Sequence, residues 1–115
     1  MITLYGIPNC GSVKKARDWL ESENIAYEFH DFKKVGIDKD SIAGWMKRVP
    51  WEVLVNKKGT TWRALPEATK DGVTDATSAT KLMVENTSVI KRPVLSQGRT
   101  VLVGFDVHAY EEHLL

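Results

Sequence analysis

An α/β fold built on one mixed four-stranded sheet is predicted by three observations. Strand patterns stand at the two ends of the chain, at residues 1–5 and 26–32 and again from Pro93 to residue 103. Helical patterns follow them, at residues 11–23 and from Asp106 onward. The long middle, about residues 34–91, reads as helical pieces without a convincing strand.

The first helix carries Val13, Ala16 and Leu20 on one side at helical spacing, with Lys14, Lys15, Arg17 and Asp18 mostly toward solvent. Residues 26–32 alternate well enough for a strand, and their separation from the first strand suits a right-handed βαβ unit. These two strands are therefore expected to be parallel. In the middle, Asp38 or Asp40 caps a helix whose apolar residues Ile42, Trp45, Met46 and Val49 recur at three and four, and Pro50 closes it. Residues 51–55 form another helical turn, and Gly59 breaks the pattern before Thr60-Thr61-Trp62-Arg63. Thr74 or Asp75 caps a further helix with Ala76, Ala79, Leu82 and Met83 on one face, giving an insertion of three or so pieces. From Pro93 the pattern is a hairpin, Val94 and Leu95, a turn at Gln97-Gly98, then residues 100–103, with Gly98 able to take φ > 0. Asp106 caps a short last helix in which Val107, Tyr110 and Leu114 point inward and Glu111-Glu112 stay in water.

The order βαβ, helical insert, ββα is that of a thioredoxin-like domain with an enlarged midsection, a single domain over residues 1–115. This topology brings the start of the first helix and the loop before the third strand to one sheet edge. Cys10 and Arg92-Pro93 are expected to meet there.

Composition narrows the function classes. The chain is 43% hydrophobic and 27% charged, ordinary for one soluble domain. Sixteen basic against fifteen acidic side chains leave no field for steering to nucleic acid or to an acidic membrane surface. No signal-peptide pattern opens the chain and no apolar run approaches a membrane span, so a cytoplasmic monomer is expected.

Cys10 is the one cysteine. It sits in Tyr5-Gly6-Ile7-Pro8-Asn9-Cys10-Gly11-Ser12, where a strand gives way to a helix. Helix N-terminal N–H groups and the positive end of the dipole favour thiolate over thiol there. Pro8, Asn9, Gly11 and Ser12 read as a turn rather than a core segment, which favours a reactive sulfur over a buried structural one. A lone cysteine makes no internal disulfide, so any redox cycle borrows its second thiol from another molecule. His30, His108 and His113 complete no metal-ligand spacing, no phosphate loop is present, and no bound cofactor is expected.

Three segments in order, Tyr5-Gly6-x-x-Asn9-Cys10, Gly59-Thr60-Thr61-Trp62-Arg63 and Ile90-Lys91-Arg92-Pro93-Val94, resemble the arsenate reductase (ArsC) family. The likeness covers essentially the whole chain, is nearest the short bacterial branch, and extends to the Spx regulators. The resemblance implies a cysteine nucleophile, glutathione as co-substrate and resolving thiol, and a glutaredoxin partner that reduces the resulting mixed disulfide. It also implies three arginines that hold the oxyanion. Only Arg92 carries over; the second position falls at Asn56, with Arg63 a few residues on as its substitute, and the third falls near Gly104. Each charged hydrogen bond is worth roughly 1.5–3 kcal/mol, so two absences predict poor arsenate turnover. The resemblance further implies a cis bond before Pro93.

Cys10 and Arg92 are thus the candidate catalytic residues, and Asn9, Gly11, Ser12, Lys14, Arg63 and Pro93 the candidate substrate-binding ones. Lys14, one turn beyond Cys10, also reads as a solvated lysine, and Trp62 as core. The expected activity is glutathione-dependent thiol oxidoreduction. The alternative is an Spx-like module that docks on RNA polymerase. Many Spx proteins switch through a C-x-x-C pair, and here Val13 stands at its second position.

Overall fold

The apolar strand at the N-terminus forms β1 (Ile2–Gly6), followed by α1 (Gly11–Ser22), β2 (Tyr27–Asp31) and a short α2 (Phe32–Val35). The middle of the chain holds α3 (Lys39–Met46), α4 (Trp51–Leu54), α5 (Thr60–Arg63), α6 (Glu67–Asp71), α7 (Ala76–Glu85) and a 3-10 turn at Thr87–Val89. The chain then forms β3 (Val94–Gln97), β4 (Thr100–Val103) and α8 (Val107–Leu114). This computed structural model describes all 115 residues, in two units: Met1–Val35 with Arg92–Leu115, and Gly36–Lys91. No helix is long and apolar enough to cross a membrane.

The first unit contains the sheet. Its strand order is β2-β1-β3-β4, with β1 parallel to β2, and β3 antiparallel to both β1 and β4. The mixed four-stranded sheet of the sequence reading is present, and its arrangement is thioredoxin-like. Alternate residues of β1, Ile2 and Leu4, turn to one face and pack with Ala16 and Leu20 of α1, Leu95 of β3 and Tyr110 of α8. Tyr110 is completely buried, its ring edge-on to Trp19 (5.6 Å) and Phe105 (4.8 Å).

Helix α1 lies very close to β1. A Cβ on Gly6 would stand 2.6 Å from Cγ2 of the fully buried Val13, so only glycine lets the strand pass beneath the first turn of the helix. The other end of α1 closes in a Schellman arrangement. Asn24 takes φ +57, its N–H donates to the Glu21 carbonyl (3.1 Å), and the Ile25 N–H donates to the Leu20 carbonyl (2.9 Å). Ile25 and Leu20 both belong to the core at that end, which ties the stop signal to packing.

In the second unit, the Asp38 carboxylate accepts the Ser41 N–H (2.7 Å) at the start of α3. A capping box between Asp75 and Ser78 starts α7. Ile42, Trp45, Leu54, Trp62, Ala79 and Met83 are among its buried residues. An isolated antiparallel bridge joins Val55 to Ile90, flanked by the Asn56 N–H on the Val89 carbonyl (2.8 Å) and the Lys91 N–H on the Leu54 carbonyl (2.7 Å).

Several expectations need correction. The insert has five helices and a 3-10 turn rather than three pieces, because single turns such as α5 and α6 are too short to show a period. Helix α3 stops at Met46, so Val49 lies outside it, and Pro50 stands at the N-cap of α4 rather than closing α3. The second strand ends at Asp31, whose carboxylate takes the Lys33 N–H (2.9 Å) and turns the chain into α2. Val107 is exposed at the first position of α8 instead of pointing inward.

Replacing Gly6 by alanine is expected to destabilise the protein by about 1–3 kcal/mol, the usual cost of forcing a methyl into a filled site. Chemical denaturation measures it, and adding Val13→Ala is expected to restore part of the loss by removing the methyl that clashes.

Candidate active site

Cys10 stands where β1 has ended and α1 has not yet begun. Its backbone is extended (φ −104, ψ 129), and it occupies the N-cap position without the tight side-chain cap that Asp38 gives α3. An N-cap side chain faces the N–H groups two and three residues on. Here those belong to Ser12 and Val13, and both act on the sulfur.

Arg92 comes to the same sulfur from the turn before β3. The Arg92-Pro93 peptide is cis, as the resemblance implied, and Pro93 is fully buried. The Pro93 carbonyl accepts the Gly104 N–H at 2.8 Å, one rung beyond the paired residues Val94 and Val103.

The thiol is half-buried. Burial pushes its pKa up, but hydrogen bonds from the Val13 N–H, the Arg92 side chain and the Ser12 N–H, with the charge of Arg92, outweigh it. The net result holds Cys10 below the ordinary thiol value. A low-pKa, partly accessible sulfur is the form that attacks electrophiles.

The remaining candidates are placed less decisively. Asn9, Gly11 and Ser12 are exposed around the turn, and a side chain at position 11 would meet nothing within 4 Å. The Lys14 N–H closes the first helical bond to the Cys10 carbonyl (2.9 Å), while its side chain is exposed in water. Arg63 belongs to the second unit and is exposed at the end of α5, its carbonyl accepting from Lys70 (3.4 Å). Trp62 is buried there, with Lys57 Nζ 5.4 Å from its ring and 5.5 Å from that of Trp51. No group of three or more His, Cys, Asp or Glu is arranged to hold a metal. The helix N-terminal N–H groups expected to favour the Cys10 thiolate are thus those of Ser12 and Val13, the second of which reads in the sequence only as core and as the position of a missing second cysteine. The N-cap rule, counted from Cys10, was the signal that identifies it.

The ArsC family matches residues 5–113. The chain belongs to this family. A solved ArsC-family relative, an arsenate reductase (ArsC) related protein from Brucella melitensis, is 47% identical with a TM-score of 0.74, over 97% of this chain and 92% of its own. The solved YFFB protein is 44% identical over the whole of both chains, with a TM-score of 0.95. The global transcriptional regulator Spx of Streptococcus agalactiae is 26% identical over 92% of this chain and 77% of its own. An ArsC-type chain with a thioredoxin-like sheet is what these likenesses show.

Ultraviolet thiolate absorbance against pH, with Cys10→Ser as blank, is expected to give a midpoint below that of a free thiol. A midpoint at or above about 8.5 contradicts it. Arg92→Ala is expected to raise the midpoint, and Arg92→Lys to recover much of the shift because it keeps the charge and loses only the planar fork.

Stability carries a related sign. A thiol whose pKa is lower folded than unfolded favours the native state as pH rises through the folded value, fully so above the unfolded one, and loses that contribution as pH falls. The stability of the native protein relative to Cys10→Ser is therefore expected to increase from neutral to mildly alkaline pH, read from denaturation midpoints.

Proposed function

We propose that this ArsC-family protein is a glutathione-dependent thiol oxidoreductase with Cys10 as its single nucleophile. One observation carries the reading: a half-buried sulfur at the N-terminus of α1 with Arg92 against it, favouring the anion. In the first step the Cys10 thiolate attacks one sulfur of a disulfide. The S–S bond breaks, a new one forms to Cys10, and the other sulfur leaves as a thiolate. No second cysteine exists in the chain to resolve the adduct. The thiolate of glutathione then attacks the partner's sulfur in the mixed disulfide, or that of Cys10 itself. Attack on the partner's sulfur frees Cys10 directly, and attack on Cys10 leaves it glutathionylated for a second glutathione or a glutaredoxin to reduce. Arg92 stabilises the attacking and departing thiolate in both directions.

Arsenate is a poorer fit. Its oxygens suit several guanidinium groups bidentately, and Arg92 is the one arginine matched to the family pattern. Position 56 carries a neutral amide side chain in place of a guanidinium, and position 104 carries no side chain.

The Spx relatives favour a second reading, a module that docks on RNA polymerase. Val13 removes the intramolecular disulfide switch, since its side chain is a fully buried hydrocarbon. A polymerase pull-down set beside a glutathione titration separates the two readings.

A turnover panel of glutathionylated protein, a small disulfide and arsenate, each with glutathione and glutaredoxin, tests the proposal. Disulfide substrates are expected to turn over and arsenate to do so poorly, with Cys10→Ser silent. Mass spectrometry after exposure to oxidised glutathione is expected to show one adduct per chain, removed by dithiothreitol. Reaction only in denaturant would mean a structural cysteine, and efficient arsenate reduction would reverse the substrate assignment.

A further inference from the structure

The terminal helix reaches the active site through two hydrogen bonds in series. The Gly104 N–H donates to the Pro93 carbonyl (2.8 Å), and the Gly104 carbonyl accepts the Tyr110 hydroxyl (3.4 Å). Gly104 takes φ +81, a left-handed conformation in which glycine is at ease, and there the chain leaves β4 for α8. Tyr110 has no exposed surface, and its ring is fixed edge-on by Trp19 and Phe105. Burial also pushes the phenol pKa up, so the hydroxyl stays a donor at neutral pH.

We propose that Gly104 and Tyr110 are positioning residues for Arg92: the Gly104 N–H pins the Pro93 carbonyl, Tyr110 holds Gly104 from α8, and the guanidinium is thereby aimed at the Cys10 sulfur. The planar peptide between Arg92 and Pro93 passes any shift of Pro93 to the arginine. The 2.8 Å rung is the stronger link and the 3.4 Å contact the weaker, so Tyr110 tunes what Gly104 fixes. A ring that only fills the core needs no hydroxyl, and the hydroxyl is what points at Gly104. This inference rests on Cys10 being the thiolate nucleophile.

Tyr110→Phe removes the hydroxyl and keeps the ring. It is expected to raise the Cys10 midpoint by about half a unit and to slow iodoacetamide alkylation about threefold below the midpoint. Gly104→Ala, which strains the turn, is expected to shift it further. In an Arg92→Ala background Tyr110→Phe is expected to have no additional effect, because the link runs through the arginine. Leu20→Val serves as a control that lowers the unfolding temperature and leaves the midpoint in place. A depressed wild-type midpoint that Tyr110→Phe does not move, or moves equally without Arg92, overturns the positioning role alone. A wild-type midpoint in the ordinary thiol range overturns the functional reading and this inference with it.

Discussion

Partial burial of the Cys10 sulfur opposes its negative charge, and the N-terminus of α1 with Arg92 must outweigh that opposition for a thiolate to persist at neutral pH. The balance depends on where α1 starts. Gly6 lets the strand run beneath the first helical turn, and Val13 fills the space that a side chain there would take. The same residue that packs against Gly6 thus offers its N–H to the sulfur. Core packing and thiol activation are two uses of one helical turn, the first made by the Val13 side chain and the second by its backbone N–H.

That shared turn also sets the redox logic. A C-x-x-C pair would put a second sulfur at position 13, where this chain has a valine with no exposed surface. The first turn of α1 therefore supplies hydrogen bonds to the sulfur and no resolving thiol, and any cycle at Cys10 closes through a separate molecule.

The sheet and the meeting of Cys10 with Arg92 were legible because they follow from strong local signals: an apolar strand, a helix with Val13, Ala16 and Leu20 in register, and a glycine hairpin after Pro93. Crossover handedness and strand adjacency supply the rest. The inserted segment was read coarsely. Helices of four or five residues such as α5 and α6 carry no measurable period, and a single bridge between Val55 and Ile90 leaves no alternating pattern. Asn24 at the end of α1 shows another limit. Its positive φ depends on the Leu20–Ile25 closure, and asparagine alone does not announce it. The N–H groups that serve the sulfur were legible as a helix N-terminus, but their assignment to Ser12 and Val13 needs the N-cap fixed at Cys10, which residue identity alone does not give. The Gly104 link was hidden because Tyr110 reads only as an inward-facing aromatic.

The substrate question turns on backbone as much as on side chains. The resemblance puts one of the oxyanion arginines of the ArsC family near Gly104, which here takes φ +81. An arginine in that conformation would carry the steric penalty of a Cβ in the left-handed region. Meanwhile the Gly104 N–H and carbonyl are committed to Pro93 and Tyr110. Restoring a cation at this position thus conflicts with the turn that joins β4 to α8 and with the rung beside Arg92. The proposed preference for a thiol substrate therefore has a main-chain argument behind it as well as a side-chain one: a single substitution to arginine at Gly104 would disturb the turn that holds Pro93 beside the arginine already present.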